Sequence, residues 1–334
     1  MTPIETTSAL PAPDSRLSWL DRLRGRPRAR TALAAALPVG WVTVLLFVPY
    51  LMLLIYSLRT LTPAGNLIPC RGLDCAWTLS NYERLFGTSV YPATIVSSAK
   101  IALSVTVLSL LLAFPLAYLL AFKVKRHKNL MYMAVIIPLW VSYLVRAYAW
   151  KIILGQEGIL NGLLTQLGLI REPLEFLLYS KWAVIIALTH IYTPFTLMPI
   201  YAVLEAIPTS LKEASQDLYA SRLQTFFHII LPLSLPGVLA GGTFAFVLSM
   251  GDFVAPQLLG GPDSALMVSN VVVSLFGVAY NWPLGAAMSV VVLALVISLL
   301  TLANALERRF DYRGEAGRRA KTDALGAVVT ERRA

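Results

Sequence analysis

Five ionisable side chains lie inside or at the edges of long apolar runs: Lys100, Arg146, Lys151, His190 and Asp252. A charge at the centre of a bilayer costs about 2.5–3.5 kcal/mol or more unless it is paired or hydrated, so chemistry is sought there first. Asp252 sits in Leu248-Ser249-Met250-Gly251-Asp252-Phe253-Val254-Ala255-Pro256, roughly 27 Å along a helix beginning at Ser234 at ~1.5 Å per residue, toward the outer end of a span. Two roles fit it: an anionic contact for a cationic solute, or half of a buried ion pair with Arg146, which also lies toward the outer side. His190 reads as a hydrogen-bonded residue between helices, because His127 and His228 fall in polar connections and nothing is placed to share a metal with it. Tyr143, Tyr148 and Trp150 either line a solute path or form the aromatic belt of a membrane interface. No catalytic constellation stands out, and no G-x-x-x-x-G-K-[S/T] segment cradles a nucleotide phosphate. The chain is therefore expected to be no enzyme and to hold no cofactor or metal, any ATP and Mg being bound by another polypeptide.

A second informative stretch is polar and lies between two apolar runs: Glu213-Ala214-Ser215-Gln216-Asp217-Leu218-Tyr219-Ala220-Ser221, followed by His228-Ile229-Ile230-Leu231-Pro232-Leu233-Ser234-Leu235-Pro236-Gly237. Leu211, Ala214, Leu218 and Ser221 recur at i, i+3/i+4 spacing and give one modestly apolar face, with Lys212, Gln216 and Asp217 elsewhere around the helix. Pro208-Thr209-Ser210 supplies a start, and Ser210 with Glu213 has the spacing of a capping box. Pro232 and Pro236 restrict the chain on leaving, which predicts a rigid elbow over Leu231–Gly237. Such a segment suits a helix gripped by a soluble partner.

These elements must be held by a membrane bundle. Hydrophobic residues make up 57% of the chain and charged residues 14%, against about 45–50% and about 25% in soluble domains. Mean hydropathy is +0.67. Six apolar runs reach the roughly 20 residues that cross a bilayer core: Thr31–Leu58, Ile101–Phe122, Leu130–Leu154, Trp182–Ile207, Leu233–Ala255 and Leu284–Leu306, with an earlier start near Tyr91-Pro92 as the alternative for the second. Twenty of the 28 Lys and Arg residues fall on one set of connections and termini, so both termini and the segment around Glu213 are expected on the cytoplasmic side. The net charge of +10 is then juxtamembrane charge facing anionic lipid, not a nucleic-acid footprint. The first span is too long for a signal-peptide core and is expected to stay uncleaved.

The economical division is a basic tail at 1–30, one six-helix membrane domain at 31–306 with its polar loop at 208–232, and a basic tail at 307–334, both tails expected to be mobile. Cys70 and Cys75 share the first outward loop, where they either form a short disulfide or stand as two unrelated residues. Prolines 49, 115, 138, 194 and 199 interrupt spans, each freeing a carbonyl that lipid cannot satisfy. Gly237, Gly241 and Gly242 give the small-xxx-small spacing of a close helix contact.

The polar stretch resembles the EAA loop of binding-protein-dependent ABC importers: Glu213 and Ala214 match, and Ile229, Leu231 and Pro232 fall at the family's spacing. Ser215 replaces the second Ala, and Tyr219 stands where the family has Gly, which puts the turn in question. Ile137–Trp150 and Gly251–Pro262 are similar to the matching spans of spermidine/putrescine permeases. The resemblance, running from about Leu37 to Leu306, implies a six-helix type I (MetI-like) permease core with a cytoplasmic coupling helix, in a bacterial inner membrane. It implies two ATPase subunits, a second and non-identical permease subunit, and a periplasmic binding protein. The loop residues Glu213, Ala214, Ser215, Asp217, Leu218, Tyr219, Ala220, Ile229, Leu231 and Pro232 would transmit the ATPase motion. Polyamines are the solute it suggests first; opines, amino-acid derivatives and phosphonates are alternatives in the same class. An ion-coupled secondary transporter is the rival class, but it would want paired intramembrane carboxylates or an inverted repeat.

Overall fold

A computed structural model describes the backbone at residues 27–61, 77–174, 177–261 and 266–331. Cys70 and Cys75 and the residues before Pro27 lie outside these. The described chain is helical, with one isolated bridge between Arg59 and Trp77. In order the helices are α1 (Pro27–Ser57), α2 (Ser80–Gly87), α3 (Val90–Phe122), α4 (Lys128–Ile136), α5 (Tyr143–Leu154), α6 (Ile159–Gln166) and α7 (Lys181–Glu205). Then come α8 (Thr209–Asp217), α9 (Arg222–Thr225), α10 (Leu231–Gly251), α11 (Val254–Leu259), α12 (Val268–Gly277) and α13 (Trp282–Glu331).

Five helices are long and apolar enough to cross a membrane, six where the bent pair formed by 128–140 and 143–166 counts as one span. The six expected runs are all present, with changed outlines. The third span is not one straight helix over Leu130–Leu154: α4 tightens into a 3-10 turn at Ile137–Trp140, and the two halves meet at 91°. Pro138 supplies no donor there, and Val141 and Ser142 turn extended (ψ 135° and 136°) before α5 starts. By contrast, α3 runs through Pro115 and α7 through Pro194 and Pro199 without ending. The second span opens at Val90, and the last helix continues beyond the span, its backbone helical to Glu331 where a separate tail was expected.

The chain divides into two units, residues 1–55 and 56–334. In the first, the described α1 side chains are almost all exposed. In the second, α3, α7 and α10 pack together as the centre, and α7 is the most buried, with Leu188, Ile191, Leu197 and Ile200 sealed from the surface. Lipid is as apolar as leucine, so van der Waals fit rather than exclusion from water holds such helices together. The glycines of α10 provide that fit. A Cβ at Gly241 would stand 2.6 Å from the Thr196 carbonyl oxygen and one at Gly237 2.9 Å from that of Pro199, so the two backbones touch.

Candidate functional site

The loop after α7 has three parts, α8, α9 and a π-turn. Helix α8 starts at Thr209 behind Pro208, whose extended backbone (ψ 135°) makes it the N-cap. Ser210 lies inside the helix, and the capping box expected between Ser210 and Glu213 does not form. The capping box is one helix later: Gln224 N–H donates to Ser221 Oγ at 3.3 Å and Ser221 N–H to Gln224 Oε1 at 2.7 Å. Its S-x-x-Q signature was legible in the sequence.

The end of α8 answers the question raised by Tyr219. Its φ is +55°, so a tyrosine occupies the left-handed position that glycine would fill. Ala220 N–H donates to Ser215 O at 3.0 Å and Tyr219 N–H to Gln216 O at 2.9 Å, the paired bonds of a Schellman turn. The left-handed geometry therefore survives without glycine, at a cost of about 1–2 kcal/mol. The ring contributes no packing in return, being 97% exposed. Tyr219→Gly removes the strain but loosens the unfolded chain by about 0.4–1 kcal/mol. Amide exchange in the last turn of α8 is therefore expected to slow by up to about 15-fold; faster exchange would contradict the left-handed assignment.

Ser215 is more than a small replacement for alanine. It is buried, bonds the Lys212 carbonyl at 2.7 Å, and shares a 2.9 Å hydroxyl contact with Thr225 of α9. That contact ties α8 to α9. The elbow expected over Leu231–Gly237 is not a bend. A π-turn, Phe226–Ile230, joins α9 to α10, with Leu231 N–H reaching back five residues to Phe226 O, and Pro232 follows it directly as the second residue of α10. Arg222–Gly251 is thus one span of 30 residues. Glu213, Ala214, Asp217, Leu218 and Pro232 are exposed, Ala220, Ile229 and Leu231 half-buried, and among the described residues the face of Leu211, Ala214 and Leu218 is left exposed.

At the other end of the same span, α10 stops at Gly251 and Asp252 turns extended (ψ 129°). Its carboxylate caps α11, accepting Val254 N–H at 2.9 Å and Ala255 N–H at 3.2 Å on Oδ1. Oδ2 accepts the hydroxyls of Tyr192, at 2.7 Å, and of Tyr143. Ser269 of α12 donates to the Asp252 carbonyl and Asn270 to that of Phe253 at 2.8 Å. One buried side chain thus joins the third, fourth and fifth spans to α11, next to an anchorage of α12. No ion pair with Arg146 forms among the described residues; four donors already saturate the carboxylate. Arg146 instead places its guanidinium 5.9 Å from the Tyr143 ring centre and Nη1 3.5 Å from the Ile191 carbonyl. Tyr192 was missed because nothing in its local sequence marks a hydroxyl that reaches across helices.

His190 lies between helices as read: Trp150 Nε1 donates to its Nδ1 at 3.2 Å, ring against ring edge. Both line an apolar groove of ≈ 680 Å³ between α3, the bent span and α7. Tyr148 is exposed elsewhere on α5. Among the described residues no cluster of His, Cys, Asp or Glu is arranged to hold a metal.

A family model described as binding-protein-dependent transport system inner membrane component matches residues 109–312. The spermidine/putrescine transport system permease protein PotB of Haemophilus influenzae is 33% identical over 280 residues, 83% of this chain and 95% of the relative. The Escherichia coli protein of the same name is 36% identical over 264 residues, 79% and 92% of the two chains. Among solved structures, a chain of a bacterial ABC transporter involved in the import of the acidic polysaccharide alginate superposes with a TM-score of 0.63 over 87% of this chain and 99% of its own, at 20% identity. That likeness speaks for the fold alone.

Proposed function

Because the chain belongs to the family of binding-protein-dependent transport system inner membrane components, as a multi-pass permease subunit of an ABC importer and not an enzyme, we propose that its solute is a polyamine. The observation that carries this reading is the 33% and 36% identity to spermidine/putrescine permeases over most of both chains. The importer would comprise this subunit, a second and non-identical permease, two ATPase subunits that bind ATP and Mg, and a periplasmic binding protein that delivers the solute. Both termini and the α8 lever face the cytoplasm in this reading, supported by the basic residues flanking the spans.

The lever fits that task physically. An exposed helix with one apolar ridge can seat in a partner's groove, and the Ser215–Thr225 contact and the unbroken α9–α10 helix leave few soft joints between that seat and the outer end of the bundle. ATP and the loaded binding protein would then favour an outward-open arrangement, a population shift that requires each to bind that arrangement better. Asp252, sealed by its four donors, would hold the outer ends together and not meet the solute. The test is uptake into proteoliposomes containing the four-component importer. Radiolabelled putrescine or spermidine delivered by the binding protein should accumulate with ATP and not with a non-hydrolysable analogue. Uptake of neither amine, with the loaded binding protein present, would refute the polyamine assignment; uptake driven by a proton gradient without the ATPase would refute the importer mechanism.

A further inference from the structure

At the α4 and α7 ends nearest the lever, Lys128 Nζ lies 2.8 Å from Glu205 Oε1 and 5.5 Å from the centre of the Tyr201 ring. Tyr201 is buried and stacks on Tyr132, centres 4.6 Å apart and planes 29° from parallel. A carboxylate beside the face of a fixed aromatic ring is a recognition set for a primary ammonium ion. We propose that Glu205, Tyr201 and Tyr132 form a binding seat for a primary alkylammonium, and that Lys128 is its resident, tethered occupant.

Three observations support a seat rather than an incidental surface pair. First, the rings are preorganised by their stack and by the core around Leu197, Ile200 and Leu204, so a ligand would not have to order them. Second, the site is reachable: the Glu205 side chain is 47% exposed and that of Lys128 25%. Third, the seat lies further along the same helix faces that line the apolar groove. Val135 and Pro194 line that groove, and Lys128, Tyr132 and Val135 on α4, like Pro194, Tyr201 and Glu205 on α7, fall at the three-, four- and seven-residue spacings of one helix face. The seat is then about 10 Å beyond the groove along α7, at ~1.5 Å per residue.

The chemistry of the occupant names the class of ligand. Lysine presents an ammonium on a four-carbon stem, the same group that ends an aliphatic diamine, so an incoming amine can replace Lys128 charge for charge. This deepens the polyamine reading and rests on it for its place in transport: the solute would displace Lys128 and open the α4–α7 ion pair. Glu205 stands four residues before Thr209, the first residue of α8, so occupancy of the seat would be felt where the lever begins.

The test uses n-butylammonium, which requires no knowledge of the transported solute, and equilibrium dialysis against the assembled importer in nanodiscs without binding protein. Lys128→Ala should tighten binding about tenfold by removing a tethered competitor whose effective concentration is in the millimolar range. Adding Glu205→Gln or Tyr201→Leu to Lys128→Ala should abolish that gain. The charge exchange Lys128→Glu with Glu205→Lys should restore assembly yield but not amine binding. Binding unchanged by Lys128→Ala, or retained in the Lys128→Ala, Glu205→Gln protein, would overturn the seat. Its failure is separable from that of the polyamine reading: butylammonium binding with no polyamine uptake keeps the seat and removes the solute, whereas uptake without binding does the reverse.

Discussion

Glu213→Lys and Ala214→Asp should each reduce solute uptake at least about 30-fold while leaving the protein in the membrane and ATP hydrolysis by its partner running. Both side chains are exposed and make no hydrogen bond or ion pair among the described residues, and surface changes of this kind shift stability by within about 0.5 kcal/mol. A misplaced or unpaired charge at the centre of an interface is different, costing about 2–5 kcal/mol. At about 1.4 kcal/mol per tenfold, that weakens docking by roughly 30-fold to several thousand-fold. Uptake and ATP hydrolysis measured on one preparation check the expectation; uptake at the wild-type rate in both variants would remove α8 as the point where motion enters.

Gly241→Val is expected to damage the bundle itself. The clash is with a backbone oxygen, at 2.6 Å from even the first side-chain atom, so no rotamer change relieves it and α7 must move away from α10. Overpacking of this kind costs about 1–3 kcal/mol, with further loss of dispersion contacts along a seam that has little else to hold it. The thermal midpoint in detergent should fall by several degrees and the yield of assembled importer with it. Thr196→Ala should give no rescue, since the facing atom is main chain. Gly242→Ala is the control: its nearest neighbour is the flexible tip of Leu110, at 3.3 Å, and it should be close to neutral. Equal midpoints for Gly241→Val and wild type would contradict the close approach of α7 and α10.

Much of this architecture was legible because membrane insertion imposes simple constraints. Long apolar runs located the five spanning helices and the bent pair, and Glu213, Ala214, Ile229, Leu231 and Pro232 picked out the polar segment that folds as α8, α9 and the start of α10. What escaped was set by tertiary contacts or by backbone detail. The break in the third span depends on a 3-10 turn followed by two extended residues, which Pro138 alone does not announce, since Pro115, Pro194 and Pro199 leave their helices intact. The left-handed Tyr219 is a backbone state that its residue type argues against. Asp252 was singled out correctly as a costly buried charge, but the expectation of a guanidinium partner overlooked how many neutral donors a carboxylate can use. Tyr192 and Tyr143 come from different spans, and no local pattern brings them together. Helices α11 and α12 were missed because a chain segment read as span and outer loop turned out to be short helices packed on the bundle.

In the proposed mechanism α8 seats on a separate ATPase, and the continuous α9–α10 helix carries its movement across the membrane. Site-directed cross-linking tests it most directly, with Ala214→Cys placed in a chain whose Cys70 and Cys75 have been replaced and the full importer assembled in native membranes. The account predicts a cross-link from position 214 to the ATPase subunit, with a yield that changes between the ATP-bound and nucleotide-free complexes. Labelling of that cysteine by a membrane-impermeant reagent from the periplasmic side, or a failure to cross-link to the ATPase in any nucleotide state, would contradict it.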